Sequence, residues 1–301
     1  MLFQSLLLAG ILLTGACAKE DTTDDNTTTA ASTQKDVAYA SVSSAQKMDI
    51  YMPEGAGPFP AVILIHGGAF LGGSKSDEAS NAAVLNAGGY VAVSINYRLS
   101  GEAKFPAQIE DCKAAVRFLR ANAATYKISA EKIGSWGASA GGNLSALLGT
   151  TGNVAELEGS SLGNATFSSA ILASVDWFGP INFLTMDAEA VALGFTINTN
   201  SSTSPESKLM GAAIQTIPGA VAKANPSSYI TSDDAAFFIQ AGSVDRNIPY
   251  SQSRNFHQAL APVKGSDASF ELLEGAGHGG SQFSASANLA KVIAFFDKYL
   301  K

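Results

Sequence analysis

A Gly-x-Ser-x-Gly spacing, which can present a serine for nucleophilic attack, occurs twice in the chain. Ser139 lies in WGASAGG (136–142) and Ser161 lies in GSSLG (159–163). A nucleophile turn needs a strand before the serine and a helix after it, because a strained turn then holds the serine oxygen above the sheet. Only the first match has both, since KIGSW (132–136) is typical of a strand and AGGNLSALLGT begins a helix pattern. We therefore predict Ser139 as the nucleophile and Ser161 as a loop serine.

A serine nucleophile needs a general base at neutral pH, and three histidines are the candidates. His278 lies in LLEGAGHGG, a glycine-rich loop after the last predicted strand, where an imidazole has room to reach a neighbouring loop. His257 falls inside a helix pattern and is interpreted as structural. His66 ends a predicted strand and is expected to brace the loop that follows. The predicted base is therefore His278.

The acid that orients the base should lie between Ser139 and His278 in the chain, at the carboxyl end of a strand. Asp245 follows the predicted strand 235–242 and meets both conditions. A turn-capping role is the other interpretation of Asp245. Asp176, near the end of an earlier predicted strand, is the alternative acid.

The same chemistry needs N–H donors for the negative charge that develops on a carbonyl oxygen. HGGAF (66–70) follows the first long apolar run, and its glycines leave backbone N–H groups unobstructed. We predict an oxyanion hole formed by the N–H groups of Gly67, Gly68 and Ala140. An ordinary glycine turn is the competing interpretation of this loop.

The residues between these motifs alternate between strand and helix patterns. PAVILIHGG (60–68) and YVAVSINYR (90–98) are continuous apolar runs, which are typical of strands buried on both faces. Apolar residues at helix spacing then follow, at Ile109, Cys112, Val116 and Leu119. The alternation predicts an α/β fold, with a mainly parallel twisted sheet covered by helices on both faces. Because parallel strands end at one edge, the loops that carry the candidate residues should meet there.

Residues 181–230 interrupt the alternation with polar runs such as TINTNSSTSPES. A connection this long between two strands is typical of a functional element, and we predict a cap or lid insertion. A surface loop is the alternative interpretation.

The first 36 residues are predicted to lie outside the fold, which leaves 37–301 as the folded domain. SLLLAGILLTGACA (5–18) is a short apolar run that ends in small residues, so residues 1–18 are predicted to be a signal peptide. Cys17 stands where a bacterial lipoprotein carries its lipid, although ordinary cleavage would remove it. Residues 19–36 are polar and low in complexity, as in a flexible tether. The expected localisation is outside the cytoplasm, either lipid-anchored in the bacterial cell envelope or periplasmic or secreted.

Composition excludes several classes of protein. Charged residues make up 15% of the chain, the net charge is −7 and no basic stripe is present, which argues against a nucleic-acid partner. Two cysteines argue against a disulfide framework. The three histidines lie in dissimilar settings, so no metal site is predicted.

Taken together, the motifs resemble the α/β-hydrolase superfamily, and more narrowly the hormone-sensitive-lipase-like esterases and the bifunctional feruloyl and acetyl-xylan esterase family. The likeness begins near residue 46 and is carried by HGGAFLGGSKS, IGSWGASAGGNLSALLGT, VDWFGPINF and GAGHGG. The resemblance implies the α/β-hydrolase fold, a Ser139–Asp245–His278 triad, and hydrolysis without metal or cofactor. Ala69 departs from the third glycine of many relatives, and FGPINF lacks the Thr-Asp pair expected after Gly-Pro, near the acyl pocket.

The expected function is a serine carboxylesterase for short acyl or aromatic esters, with acetyl and feruloyl esters of plant polysaccharide as candidate substrates. A peptidase or amidase with the same triad is one alternative, and a non-catalytic surface lipoprotein that binds glycans is another. The expected partner is a small or polysaccharide-linked ester, and membrane contact is expected only through a lipid on Cys17. Trp177 and Phe178 are interpreted either as acyl-pocket residues or as core. No oligomeric state is predicted.

Overall fold

The computed structural model describes residues 1–2, 30–152 and 154–301. In these ranges the strands form one eight-stranded sheet in the order β1-β2-β4-β3-β5-β6-β7-β8. β2 is antiparallel to β1 and β4, and the remaining neighbours are parallel. The strands are β1 (Ser32–Ala38), β2 (Lys47–Met52), β3 (Phe59–Ile65), β4 (Val91–Ile95), β5 (Ile128–Ala138), β6 (Ala173–Trp177), β7 (Ala236–Gly242) and β8 (Ala268–Leu273).

Helices occupy the connections between the parallel strands, as the alternation predicts. Three of them, α4 to α6, are short and lie between β6 and β7. The helices are α1 (Ala79–Ala87), α2 (Ala107–Ala121), α3 (Ala140–Thr150), α4 (Met186–Ala192), α5 (Pro205–Met210), α6 (Pro218–Val221), α7 (Ser251–Lys264), α8 (Ser281–Ser284) and α9 (Ser286–Leu300). Short 3-10 turns complete several connections.

Alternate residues of the central strands enter two separate hydrophobic cores. Ile63 of β3 belongs to the core that contains residues of α2, α3 and α7, whereas Leu64 belongs to the core that contains residues of α1 and α9. Both side chains are fully buried. Because helices cover both faces, the strand needs no polar side, which explains its continuous apolar sequence. The predicted fold class is confirmed.

β1 corrects the predicted start of the folded domain at residue 37. It begins at Ser32, inside the predicted tether 19–36, and pairs with β2 from Ser32–Met52 to Ala38–Lys47. All of its residues except Val37 are exposed. An edge strand with exposed polar side chains is held by backbone hydrogen bonds and carries no hydrophobic alternation, so its sequence resembles a linker.

Most of the predicted signal peptide, residues 1–18, lies outside the residues that the structure describes. Cys17 and the other residues of 3–29 lie outside the described ranges. Among the residues that the structure does describe, no helix is both long and apolar enough to cross a bilayer.

Residues 181–230 pack against the sheet domain. Ile181 and Phe183 are at most 2% exposed and belong to the same core as α2, α3 and α7. The Gln252 side-chain oxygen on α7 accepts hydrogen bonds from the N–H groups of Ile181 (2.9 Å) and Asn182 (2.7 Å). These contacts argue against the surface-loop interpretation.

Candidate active site

Ser139 occupies the sharp turn between β5 and α3. Its backbone has φ 57° and ψ −122°, a combination with positive φ that non-glycine residues rarely adopt. The Ser139 N–H donates to the Trp177 carbonyl oxygen of β6 at 2.9 Å, and the Asn143 N–H donates to the Ser139 carbonyl oxygen at 3.1 Å. Hydrogen bonds to β6 and to the first turn of α3 therefore hold Ser139 in this strained backbone conformation.

The glycines of the motif allow strand, helix and loop to approach closely. A Cβ atom on Gly137 would lie 2.0 Å from the Gly141 carbonyl oxygen. A Cβ atom on Gly141 would lie 1.9 Å from the Ile65 carbonyl oxygen at the end of β3. Neither position can hold a side chain without moving the backbone. By contrast, Ser161 lies exposed in a short turn between α3 and β6, consistent with its interpretation as a loop serine.

His278 and Asp245 complete a hydrogen-bonded chain with Ser139. His278 Nδ1 lies 2.7 Å from Asp245 Oδ2, and His278 Nε2 lies 2.9 Å from Ser139 Oγ. Because a carboxylate oxygen accepts, Nδ1 carries the ring proton. This leaves Nε2 to accept the hydroxyl proton of Ser139. The structure thus brings together the three residues that the sequence singles out.

Asp245 is held rigidly in this arrangement. Its side chain is fully buried, and its Oδ1 accepts the backbone N–H groups of Asn247 (2.8 Å) and Ile248 (3.0 Å). The turn-capping interpretation is thus also correct, since one oxygen caps the turn after β7 while the other binds the imidazole. Capping fixes the direction of the oxygen that faces His278.

Asp176, the alternative acid, does not contact His278. It lies within β6, fully buried, and its Oδ1 accepts the Gly179 N–H at 2.9 Å. Its Oδ2 has no hydrogen-bond partner among the described residues. Burial raises the pKa of Asp176 to about 7.

The HGGAF loop passes directly beside Ser139. A Cβ atom on Gly67 would lie 3.4 Å from Ser139 Cβ, so the loop backbone borders the predicted nucleophile. Ala69 and Phe70 both have positive φ angles, 56° and 59°, which marks a strained loop. In the described part of the chain, no hydrogen bond uses the N–H groups of Gly67, Gly68 or Ala140. These donors are therefore available to a substrate oxygen.

His66 supports the loop from behind. Its ring stacks on Tyr97 with a centroid distance of 4.4 Å, and the Tyr97 hydroxyl donates to the His66 carbonyl oxygen at 3.0 Å. His66 Nδ1 donates to the Gly67 carbonyl oxygen at 2.7 Å, which requires the proton on Nδ1. Burial lowers the pKa of His66, so the ring is neutral at neutral pH. These contacts agree with the predicted bracing role.

Trp177 and Phe178 belong to the core. Trp177 packs against Trp136 and Phe283. Phe178 packs against Phe283 and against the His278 ring, with a centroid distance of 4.7 Å to the latter. Both residues are 6% exposed and belong to the core that contains residues of α1 and α9, which favours the core interpretation over the acyl-pocket one. Phe178 instead forms one side of the space that holds the His278 imidazole.

A cleft of about 540 Å³ opens above Ser139, within the size range of pockets for small organic ligands. One part of its lining is apolar and includes Phe70, Pro180, Met186, Ile197 and Ile248. The other part is polar and comes from residues 198–206 of the insertion and from Arg246 and Asn247 after β7. The insertion therefore contributes a wall of the cleft.

Two charged residues of the cleft, Glu206 and Arg246, are absent from the sequence predictions. Glu206 lies in a polar run whose composition is typical of a loop, and no short motif surrounds it. Arg246 directly follows Asp245, and that adjacency is the one signal in the sequence that could have indicated it.

Comparison with known proteins agrees with this geometry. The BD-FAE family profile matches residues 48–260. Esterase LipC of Mycobacterium tuberculosis is 31% identical over 252 residues, which cover 78% of this chain and 57% of LipC. The chain thus spans little more than half the length of this curated relative.

Two solved structures have the same architecture. A truncated carbohydrate esterase from gut microbiota superposes with a TM-score of 0.81 at 33% identity, over 89% of this chain and 95% of its own. A bifunctional GH43-CE protein of Bacteroides eggerthii gives a TM-score of 0.79 at 36% identity, over 88% of this chain and 35% of its own. The chain has the α/β-hydrolase fold and belongs to the BD-FAE family.

Proposed function

We propose that the protein is a serine carboxylesterase in which Ser139 is the nucleophile, His278 the general base and Asp245 the residue that orients the base. The observation that carries this proposal is the unbroken hydrogen-bonded chain from Asp245 through His278 to Ser139. The esterase names of the relatives support the same reaction class.

In the acylation step, Ser139 Oγ attacks the ester carbonyl carbon while its proton moves to His278 Nε2. The carbonyl oxygen becomes negatively charged, and the N–H groups of Gly67, Gly68 and Ala140 are the donors that would stabilise it. The C–O bond to the alcohol then breaks, and the alcohol leaves with the proton from Nε2. The Asp245 carboxylate stabilises the imidazolium that exists between the two proton transfers.

In the deacylation step, water takes the place of the alcohol. It attacks the acyl-enzyme carbonyl while one of its protons moves to His278 Nε2. The bond to Ser139 Oγ then breaks, the carboxylic acid leaves, and the proton returns to the serine. The His278 side chain is 22% exposed, so water can reach the imidazole.

The substrates that we propose are esters of short acyl or aromatic acids, with acetyl or feruloyl groups on plant polysaccharide as the leading class. Two observations support this choice: the polar wall of the cleft, and the carbohydrate esterase named among the similar structures. A polysaccharide substrate also agrees with the export that residues 1–18 predict.

The test is turnover of p-nitrophenyl acetate, p-nitrophenyl octanoate, methyl ferulate and acetylated xylan, each with wild type and Ser139→Ala. We expect release of acid from at least one acetyl or feruloyl ester, and a loss on the order of 10⁴-fold or more in the variant. Circular dichroism should show an unchanged fold. Full activity of Ser139→Ala would refute the nucleophile, and cleavage of a matched amide as fast as the ester would favour an amidase.

A further inference from the structure

Glu206 places a carboxyl group in the cleft above Ser139 without a cation beside it. The residue is 7% exposed and forms part of the cleft lining. Among the described residues, no lysine, arginine or histidine nitrogen lies within 4 Å of its carboxylate oxygens. Burial raises the pKa of Glu206 and the Asp187 carboxylate adds to that shift, while the backbone N–H of Glu206 and the Ser204 hydroxyl oppose it. A mostly buried carboxyl in a cleft, with no cation within 4 Å among the described residues, points to a role in binding a ligand.

Among the described residues, the local contacts of this carboxyl are the Ser204 hydroxyl and the backbone N–H of Glu206 itself, in the first turn of α5. Ser204 caps α5, since its Oγ accepts the Ser207 N–H at 3.0 Å. The Asp187 carboxylate of α4 fixes the preceding loop by accepting the N–H groups of Thr199 (2.7 Å) and Asn200 (3.2 Å). Ser204 and Asp187 thus fix the backbone of the segment, and Glu206 borders the cleft.

The surroundings of Glu206 are rich in hydrogen-bonding groups. The same wall carries the side chains of Asn198, Thr199, Ser201, Thr203 and Ser204. Arg246 also lines the cleft, with its guanidinium 4.8 Å from the centroid of the Phe195 ring, and it joins no ion pair among the described residues. The cleft therefore offers a carboxyl group and a positive donor together with neutral hydroxyl and amide groups.

We propose that Glu206 determines specificity for a sugar as the alcohol part of the ester, by accepting hydrogen bonds from ring hydroxyl groups. This inference rests on the proposed esterase function and names the group that selects its substrate. A neutral polyol can satisfy both Glu206 and Arg246, because each hydroxyl donates and accepts. A cationic alcohol would satisfy Glu206 alone and would be repelled by Arg246.

The experiment compares kcat/KM for two acetates that differ in their hydroxyl groups. Mono-acetylated methyl β-xylopyranoside carries free ring hydroxyls, whereas cyclohexyl acetate has a ring of the same size without them. Acetate release is followed for wild type, Glu206→Ala and Glu206→Gln. Glu156→Ala is the matched control, because it removes a carboxylate that is 77% exposed and outside the cleft lining.

For Glu206→Ala we expect the ratio of kcat/KM for the sugar acetate to that for cyclohexyl acetate to fall about 10- to 100-fold, as for loss of a hydrogen bond to a charged group. Glu206→Gln keeps an oxygen acceptor and should lower the ratio less. Glu156→Ala should leave the ratio unchanged. Thermal melting of each variant separates loss of fold from loss of recognition.

Three results would overturn the inference while leaving the esterase intact. The first is an unchanged ratio in both Glu206 variants, which would make the carboxyl structural. The second is a wild type that cleaves cyclohexyl acetate and rejects the sugar acetate. The third is a wild-type preference for acetylcholine that Glu206→Ala and Glu206→Gln abolish equally. That result would indicate that Glu206 selects a cationic alcohol instead of a sugar. A wild type inactive on all of these and on p-nitrophenyl acetate would refute the proposed function and the inference together.

Discussion

The buried carboxyl of Asp176 allows a quantitative prediction of how the free energy of unfolding depends on pH. Its carboxyl is fully buried in the sheet, with one oxygen on the Gly179 N–H and the other without a partner among the described residues. Burial raises its pKa from 3.8 to about 7. The folded protein therefore keeps this proton at pH values where the unfolded chain has already released it.

The sign and size of the effect on stability follow from this difference. Between the two pKa values the native state binds more protons than the unfolded state, so the free energy of unfolding falls as the pH rises, and it levels off above pH 7. At roughly 1.4 kcal/mol per unit of pKa shift, the loss from pH 5 to pH 8 is on the order of 2 to 3 kcal/mol. Asp176→Asn removes the titrating group and keeps the oxygen that accepts from Gly179.

The assay is urea unfolding of wild type and Asp176→Asn at pH 5 and pH 8. We expect the stability of the variant relative to wild type to increase by roughly 2 to 3 kcal/mol between the two pH values. The readout is the change between the two pH values and not the stability of Asp176→Asn at one pH. The new amide brings an unpaired N–H group into the core, which lowers the stability of the variant at both pH values. Burial also raises the pKa of Glu78 to about 7, and its contribution is present in both proteins and cancels. Parallel pH curves for the two proteins would refute the reasoning.

Two further predictions concern the triad and the turn. Asp245→Asn should lower kcat for p-nitrophenyl acetate about 10⁴-fold, because the amide no longer holds the Nδ1 proton of His278, and an unchanged steady-state rate would exclude Asp245 as the orienting acid. Gly141→Ala should abolish soluble folded protein, because its Cβ would lie 1.9 Å from the Ile65 carbonyl oxygen. The matched control Gly72→Ala meets no atom within 4 Å and should melt like wild type, so equal melting temperatures for the two variants would contradict the packing argument.

The chemistry-bearing residues were predictable because their positions follow from chain order and sheet geometry. Ser139, Asp245 and His278 each follow a strand whose apolar sequence is distinct. Parallel strands end at one edge, so three separate loops had to meet. The choice of Asp245 over Asp176 needed only the observation that Asp245 lies beyond its strand, whereas Asp176 lies within one.

Other features depend on contacts that no local pattern encodes. β1 has a polar sequence because its side chains face solvent, and only pairing with β2 makes it a strand. Glu206 reaches the cleft because Asp187 holds the loop at Thr199 and Ser204 caps the following helix. The contact of Phe178 with His278 likewise joins residues 100 positions apart in the chain.

The origin of the cleft walls has an evolutionary consequence. The groups proposed to make and break bonds come from the turns after β3, β5, β7 and β8, whereas most of the polar wall comes from the segment between β6 and β7. Mutations in that segment can change which alcohol is accepted without touching the reacting groups. Exchange of residues 195–206 between homologues should thus be a short route to new substrates, and divergence within the family should concentrate there while the turns stay constant.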